Sequence, residues 1–128
     1  MKNLGLYIII DPNNIGKSDL YNIAKDIIEA GADTIQLRNK TSNDKEVIDQ
    51  ANLIKKLCND NNSNFIINDR VDVAIEVQPD GIHLGRDDMD VNECRDKFGD
   101  DFIIGNSNAT TQEAFLSSKL KINYIAIG

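Results

Sequence analysis

The chain has 128 residues, 41% apolar and 27% charged, which is a globular composition with room for one domain and a real hydrophobic core. Its 14 basic and 21 acidic residues leave a net charge of −7. That excludes the broad basic face needed for nucleic acid or an anionic membrane, but not a phosphate ligand held by a few local cations. No signal peptide is visible and no apolar run is long enough to cross a bilayer, so a cytoplasmic protein is expected.

The chain opens with NLGLYIII (3–10), a near-continuous apolar run that predicts a strand buried on both faces. Ser18 is placed to cap a helix with Leu20, Ile23, Ala24, Ile27 and Ile28 on one face and Gly31 just past its end. DTIQLR (33–38) predicts a second strand. Asn43 and Glu46 form a capping-box pattern before a helix with Val47, Ala51, Ile54 and Cys58 on one stripe. NFIIN (64–68) predicts a third strand and a short helix follows over 71–77; DGIHLG (80–85) predicts a fourth strand. Asp90 and Glu93 repeat the capping pattern for a helix ending near Gly99. DFIIGNS (101–107) predicts a fifth strand, Thr110 and Glu113 cap a helix containing Ala114, Phe115 and Leu120, and NYIAIG (123–128) predicts a sixth. The two cysteines, Cys58 and Cys94, show no zinc or disulfide spacing and read as reduced, partly buried thiols.

Strands that alternate with helices imply right-handed βαβ units and a parallel sheet. Two architectures fit, an open doubly wound sheet and a β/α barrel. The first strand-to-helix turn, DPNNIGKSD, has neither the glycine fingerprint of a dinucleotide fold nor a P-loop.

Ligands of parallel α/β folds gather at the carboxyl ends of the strands, and four consecutive strands end in polar residues. Gln36, Arg38 and Lys40 follow the second on one face, since side chains alternate across a strand. Asn68, Asp69 and Arg70 follow the third; His83, Arg86, Asp87 and Asp88 the fourth; Asn106, Ser107 and Asn108 the fifth. Any one cluster could be a cap or a solvated loop; Asp69, for instance, could cap the helix after it. Together their chemistry is complementary. Arg38 and Lys40 suit phosphate oxygens, Asp69 and Asp88 suit Mg²⁺, and Gln36 and Asn68 can read a polar heterocycle edge. His83, alone of its type, cannot make a histidine-rich metal site and reads as a packing residue within its strand.

These residues, in this order, resemble the thiamine phosphate synthase family. The resemblance rests on QLRNK (36–40), NDRVDVA (68–74) and DGIHLGRDD (80–88), with IGNS (104–107) and NYIAIG (123–128) in support. It implies an α/β fold of the TIM-type (β/α)₈ barrel family, with about six of eight strands in this chain, and a single domain over 1–128 that is incomplete at its C-terminal side. It also implies coupling of an aminopyrimidine methyl pyrophosphate to a thiazole phosphate, with release of pyrophosphate. Carried over by position, Gln36 would contact the pyrimidine, Arg38 and Lys40 the pyrophosphate, Asn68 the pyrophosphate region, Asp69 and Asp88 Mg²⁺, and Ser107 the substrate. Arg38, Lys40 and Ser107 are the candidate catalytic residues.

Three positions depart from the family pattern: Asn39 for an acid, Arg86 for a glutamine and Asn106 for an apolar residue. Asn108 and Ala109 follow Ser107 where a sibling branch, the thiazole tautomerases, carries a histidine. The family continues past its sixth strand, and an apolar sixth strand without a neighbour invites association, so a completing chain or an oligomer is an expected partner. Two further readings stand beside the synthase: a non-catalytic pyrophosphate-binding remnant, and a tautomerase-like sibling.

Overall fold

The computed structural model describes residues 3–16 and 19–128. Ser18 and the helix cap expected of it lie outside the described residues. Six strands form one sheet in sequence order, every neighbouring pair parallel: β1 (Tyr7–Ile10), β2 (Thr34–Leu37), β3 (Asn64–Asn68), β4 (Gly81–Leu84), β5 (Ile103–Asn108) and β6 (Tyr124–Ile127). An unbroken sequential order is what a barrel requires and what a doubly wound sheet, whose order reverses at a switch point, does not show. The sheet curls far enough for the Tyr7 hydroxyl on β1 to hydrogen-bond the Tyr124 hydroxyl on β6, at 2.7 Å. The architecture is a curled half-barrel of six parallel strands.

Alternation along each strand divides the side chains between two environments. Ile35, Leu37, Phe65, Ile67, Ile82, Leu84 and Ile104 point outward and share one core with the helices. Leu20, Ala24 and Ile28 come from α2 (Leu20–Glu29), and Val47, Ala51, Ile54 and Cys58 from α3 (Asp44–Asp60). Val73, Ala74 and Val77 come from α4 (Val71–Val77), and Val91 and Cys94 from α5 (Val91–Phe98). Each large aliphatic side chain so buried stabilises the fold by about 1.5–3 kcal/mol. Gln36, Ile66, Asn68, His83 and Ser107 occupy the alternate positions and face the inside of the curl. Two glycines make that interior possible. A Cβ on Gly81 would stand 2.2 Å from the Ile103 carbonyl oxygen, and one on Gly105 would stand 2.0 Å from the Tyr124 ring.

The N-cap half of each capping expectation holds where it can be compared. Asn43, Asp90 and Thr110 each accept backbone N–H bonds at the start of α3, α5 and α6 (Thr111–Ser117). Both cysteines are buried free thiols, and burial pushes Cys94 up to about 11. Three expectations need correction. The turn after β1 contains a four-residue helix, α1 (Pro12–Ile15), capped by Asp11, with Pro12 in the position where a missing N–H matters least. β1 is not buried on both faces: it is an edge strand whose Ile9 looks into the open interior and is 55% exposed. Finally, α6 ends at Ser117, so Leu120 lies beyond it, and Phe115 faces solvent.

The amino ends of the strands are closed by hydrogen bonds. Buried Arg95 donates to the carbonyls of Gly99, Asp100, Phe102 and Lys121 and to Asn123 Oδ1. Buried Asn64 donates to Asn3 O, Asp33 O and Thr34 Oγ1. Asp33 and Asp80 accept the backbone N–H groups of Leu6 and Phe65.

Candidate active site

At the opposite, carboxyl end the loop after β2 is pinned from two sides. Asn39, 2% exposed, donates to Gln50 Oε1 at 2.9 Å, and its own Oδ1 accepts from the backbone of Thr41 and Ser42. Arg70 then reaches across from the end of β3, donating to the Asn39 and Ser42 carbonyls and pairing with Asp44 at 2.7 Å. Asn39 therefore acts through its amide as a loop anchor. The two residues beside it are left to face the opening. Arg38 pairs with Asp11 at 3.1 Å and Lys40 with Asp69 at 2.8 Å.

Asp69 is not a helix cap. The residue at the start of α4 is Arg70, and no side chain caps that end. Asp69 instead sits in the left-handed region at φ 61°, its backbone N–H donating to the His83 carbonyl at 2.9 Å. A non-glycine residue held there stores of order 1–3 kcal/mol of strain and is tolerated where the surroundings over-determine it. The conformation turns its carboxylate toward Lys40 and Asp88. Asp88 approaches across Gly85, whose N–H donates to Asp88 Oδ2. A Cβ on Gly85 would come within 2.8 Å of that oxygen, so the approach needs glycine.

The electrostatics follow from this crowding. Burial pushes Asp69 up, but hydrogen bonds from Lys40 and Asp88 and the Lys40 charge outweigh it and hold the carboxyl below its ordinary value. Burial also pushes Asp88 up. The hydrogen bond to Asp69 and its negative charge add to this, opposed only in part by Gly85 and Lys40, so Asp88 ends above its ordinary value. Two carboxylates forced together and driven apart in pKa form a natural seat for a cation. Beside them, the Asn68 side-chain Nδ2 is buried without a hydrogen-bond partner. An orphaned buried donor is costly unless a ligand completes it.

Deeper in the curl, His83 Nε2 lies 2.7 Å from Ser107 Oγ and His83 Nδ1 2.8 Å from Tyr124 OH. Tyr7 OH accepts from Gln36 Nε2 at 2.7 Å. Burial holds the histidine below its ordinary value, against a weaker upward pull from Asp69.

One cavity of about 570 Å³ is lined by Gln36, Arg38, Lys40, Asn68, Asp69 and Ser107, together with His83, Gly85, Tyr7 and Tyr124. Six of the seven side chains singled out in the sequence thus share one opening; the seventh, Asp88, lines the neighbouring cavity and meets Asp69 at Gly85, which borders both. Asp87 is exposed. Arg86 turns away to pair with Glu113 at 3.2 Å over a neighbouring cavity of about 470 Å³. Asn106 bonds Leu84 O and Ser117 rather than facing the opening. Among the described residues no group of three or more His, Cys, Asp or Glu side chains could hold a metal ion; the Asp69–Asp88 pair is the acidic seat available.

Sequence reasoning missed Tyr7, Tyr124, Asp11 and the clamp made by Arg70. Tyr7 carried no signal beyond an apolar run, and Tyr124 none beyond its place in a motif. Asp11 and Arg38 are 27 residues apart in the sequence and meet only because β1 and β2 are neighbours.

A parallel half-barrel whose polar side chains gather at the carboxyl ends of its strands defines a protein of the β/α-barrel class. Residues 6–128 match the profile described as thiamine monophosphate synthase. The chain belongs to the thiamine monophosphate synthase family. It is 38% identical to a thiamine-phosphate synthase of Persephonella marina over 126 residues, covering 98% of this chain and 60% of that protein. It is 41% identical to the one of Methanospirillum hungatei over 124 residues, covering 97% of this chain and 60% of that protein. A solved structure of thiamine phosphate pyrophosphorylase from Pyrococcus furiosus superposes with TM-score 0.86 at 29% identity, over 98% of this chain and 60% of that one. The chain spans about 60% of the length of the curated relatives it matches. No helix among the described residues is long and apolar enough to cross a membrane.

Proposed function

We propose that the cavity binds the diphosphate of a pyrimidine pyrophosphate together with Mg²⁺, and that the chain serves thiamine phosphate synthesis. In that reaction a pyrimidine methyl group is transferred to the nitrogen of a thiazole phosphate and pyrophosphate leaves. The observation that carries the reading is the convergence of Arg38, Lys40, Asn68, Asp69 and Ser107 on one cavity, with the Asp88 carboxyl beside that of Asp69 at Gly85. The full (β/α)₈ architecture of the family, a single domain over 1–128, a cytoplasmic location and a completing chain or an oligomer belong to the same reading.

Asp69 and Asp88 fit Mg²⁺, a hard cation commonly held by one or two carboxylates with substrate phosphates and water in its remaining positions. When bound, the ion supplies neutralisation of the negative charge that builds on a departing pyrophosphate. The protein's own cations do the same from the other side. Arg38 and Lys40 are pre-aimed by exposed or half-exposed ion pairs, which are worth about 0–1 kcal/mol each, so both can be exchanged for phosphate oxygens. Lys40 is the clearer case, since its present partner Asp69 is itself a candidate cation ligand. Asn68 Nδ2, buried beside Asp69 without a well-formed hydrogen bond, supplies a further donor. Gln36, on the same interior face, meets the heterocycle. A dissociative displacement needs no protein nucleophile, only electrostatic stabilisation of the leaving group.

The test is calorimetric titration of inorganic pyrophosphate into the 128-residue chain with and without Mg²⁺. Binding is expected only with Mg²⁺, and lost in Asp69→Ala and Asp88→Ala. Binding indifferent to magnesium would remove the metal assignment. A coupling assay with both substrates separates a synthase from a pyrophosphate-binding protein that makes no product.

A further inference from the structure

Five side chains from five strands form one hydrogen-bonded chain across the inside of the curl. Gln36 Nε2 is 2.7 Å from Tyr7 OH, which is 2.7 Å from Tyr124 OH; that hydroxyl is 2.8 Å from His83 Nδ1, and His83 Nε2 is 2.7 Å from Ser107 Oγ. Each hydroxyl has one hydrogen to give, and so does a neutral imidazole. Direction therefore propagates from one end. The Gln36 amide nitrogen can only donate, so it occupies the Tyr7 oxygen as acceptor. Tyr7 then gives its hydrogen to Tyr124, and Tyr124 gives its own to His83 Nδ1. His83 carries its hydrogen on Nε2 and donates to Ser107. The opposite direction would have Tyr124 donate to Tyr7 and leave the Tyr7 hydrogen without an acceptor in a partly buried position.

Ser107, His83 and Tyr124 have the spacing of a nucleophile, a base and the group that orients the base. The direction of the chain forbids that use, because a nitrogen already bearing hydrogen cannot take one from Ser107. What remains is the Ser107 hydrogen, the last in the chain, on a side chain that lines the cavity. We propose that His83 is a positioning residue whose Nε2–H fixes Ser107 as a donor aimed into the cavity. The hydrogen offered there calls for an acceptor, such as a diphosphate oxygen. This choice of ligand rests on the reading of function given above; the direction of the chain does not.

The protein has one histidine, so labelling histidine with ¹⁵N yields a single imidazole in a long-range ¹H–¹⁵N spectrum. At neutral pH the spectrum is expected to show hydrogen on Nε2 and none on Nδ1. Hydrogen on Nδ1, or an average of the two, overturns the proposal. Tyr124→Phe removes the donor to Nδ1 and is expected to abolish the fixed tautomer; an unchanged tautomer would mean the chain does not set it. In the pyrophosphate titration with Mg²⁺, Ser107→Ala and His83→Phe are each expected to weaken binding about tenfold, the loss of one hydrogen bond to a charged group. His83→Gln, whose amide nitrogen can reach Ser107, should stay within about threefold of the wild type. The double variant Ser107→Ala/His83→Phe should bind no worse than Ser107→Ala alone; additive losses overturn the proposal. Absence of pyrophosphate binding in the wild type would count against the functional reading, and the tautomer alone would then decide the role of His83.

Discussion

The two ends of the sheet carry similar residues in opposite conditions. At the amino end Arg95 is buried and its guanidinium is occupied by carbonyls and one amide, while Asn64, Asp33 and Asp80 are likewise spent on backbone groups. At the carboxyl end Arg38 and Lys40 are paired only with carboxylates at the surface. There Asp69 is held in a strained conformation, Asp88 is pushed up in pKa, and Asn68 Nδ2, beside Asp69, makes no well-formed hydrogen bond among the described residues. One end is saturated and stabilises; the other keeps its polar groups in exchangeable or incomplete pairings, which is what the proposed diphosphate site requires. Barrel proteins separate stability and chemistry along the same axis.

The largest expected effect comes from breaking the saturated end. Arg95→Leu should lower unfolding free energy by about 3–5 kcal/mol, because the carbonyls of Gly99, Asp100, Phe102 and Lys121 would all lose their shared, partly buried donor. Chemical denaturation would show it. Interior crowding comes next. Gly81→Ala forces a Cβ against the Ile103 backbone, and Gly105→Ala forces one against the movable Tyr124 ring. Both should cost stability, about 1–3 kcal/mol or more for overpacking, with Gly81→Ala the worse, since a backbone of a central strand cannot yield as a side chain can. At the incomplete end the pattern should invert. Asp69→Asn, with a residue that tolerates left-handed backbone, should change stability by no more than about 0.5 kcal/mol while abolishing Mg²⁺-dependent pyrophosphate binding. A large stability loss in that variant would blur the contrast between the ends.

The smallest effect concerns pH. His83 is held below its ordinary value of 6.5, so below that pH the unfolded chain takes up a proton the folded one refuses. The stability this contributes is complete above 6.5 and is lost as pH falls from there through the folded value. Wild-type stability should therefore decline more steeply over that window than that of His83→Gln.

Much of this was legible in the sequence because it depends on local periodicity. Alternation separated Gln36 and Arg38 from Ile35 and Leu37, and capping residues marked the starts of α3, α5 and α6. Edge and interior were less legible. A run such as LYIII reads the same whether a strand has two neighbours or one, and it does not tell that Ile9, on edge strand β1, looks into an open interior. The left-handed turn at Asp69, the Arg70 clamp and the Gln36–Tyr7–Tyr124–His83–Ser107 chain are long-range products of the curl, and no local pattern announces them. Arg86 shows the converse. Next to two aspartates in sequence it looked like part of the site, yet it reaches over the rim to Glu113.

In the proposed function the carboxyl ends of β2 to β5 close on a single diphosphate–cation unit. The most direct measurement is a crystal structure of the chain grown with inorganic pyrophosphate and Mg²⁺. The diphosphate is expected within hydrogen-bond reach of Arg38, Lys40 and Asn68, with the cation on Asp69 and Asp88 and Lys40 swung off Asp69. Pyrophosphate bound elsewhere, or a cation seated away from those two carboxylates, would contradict it.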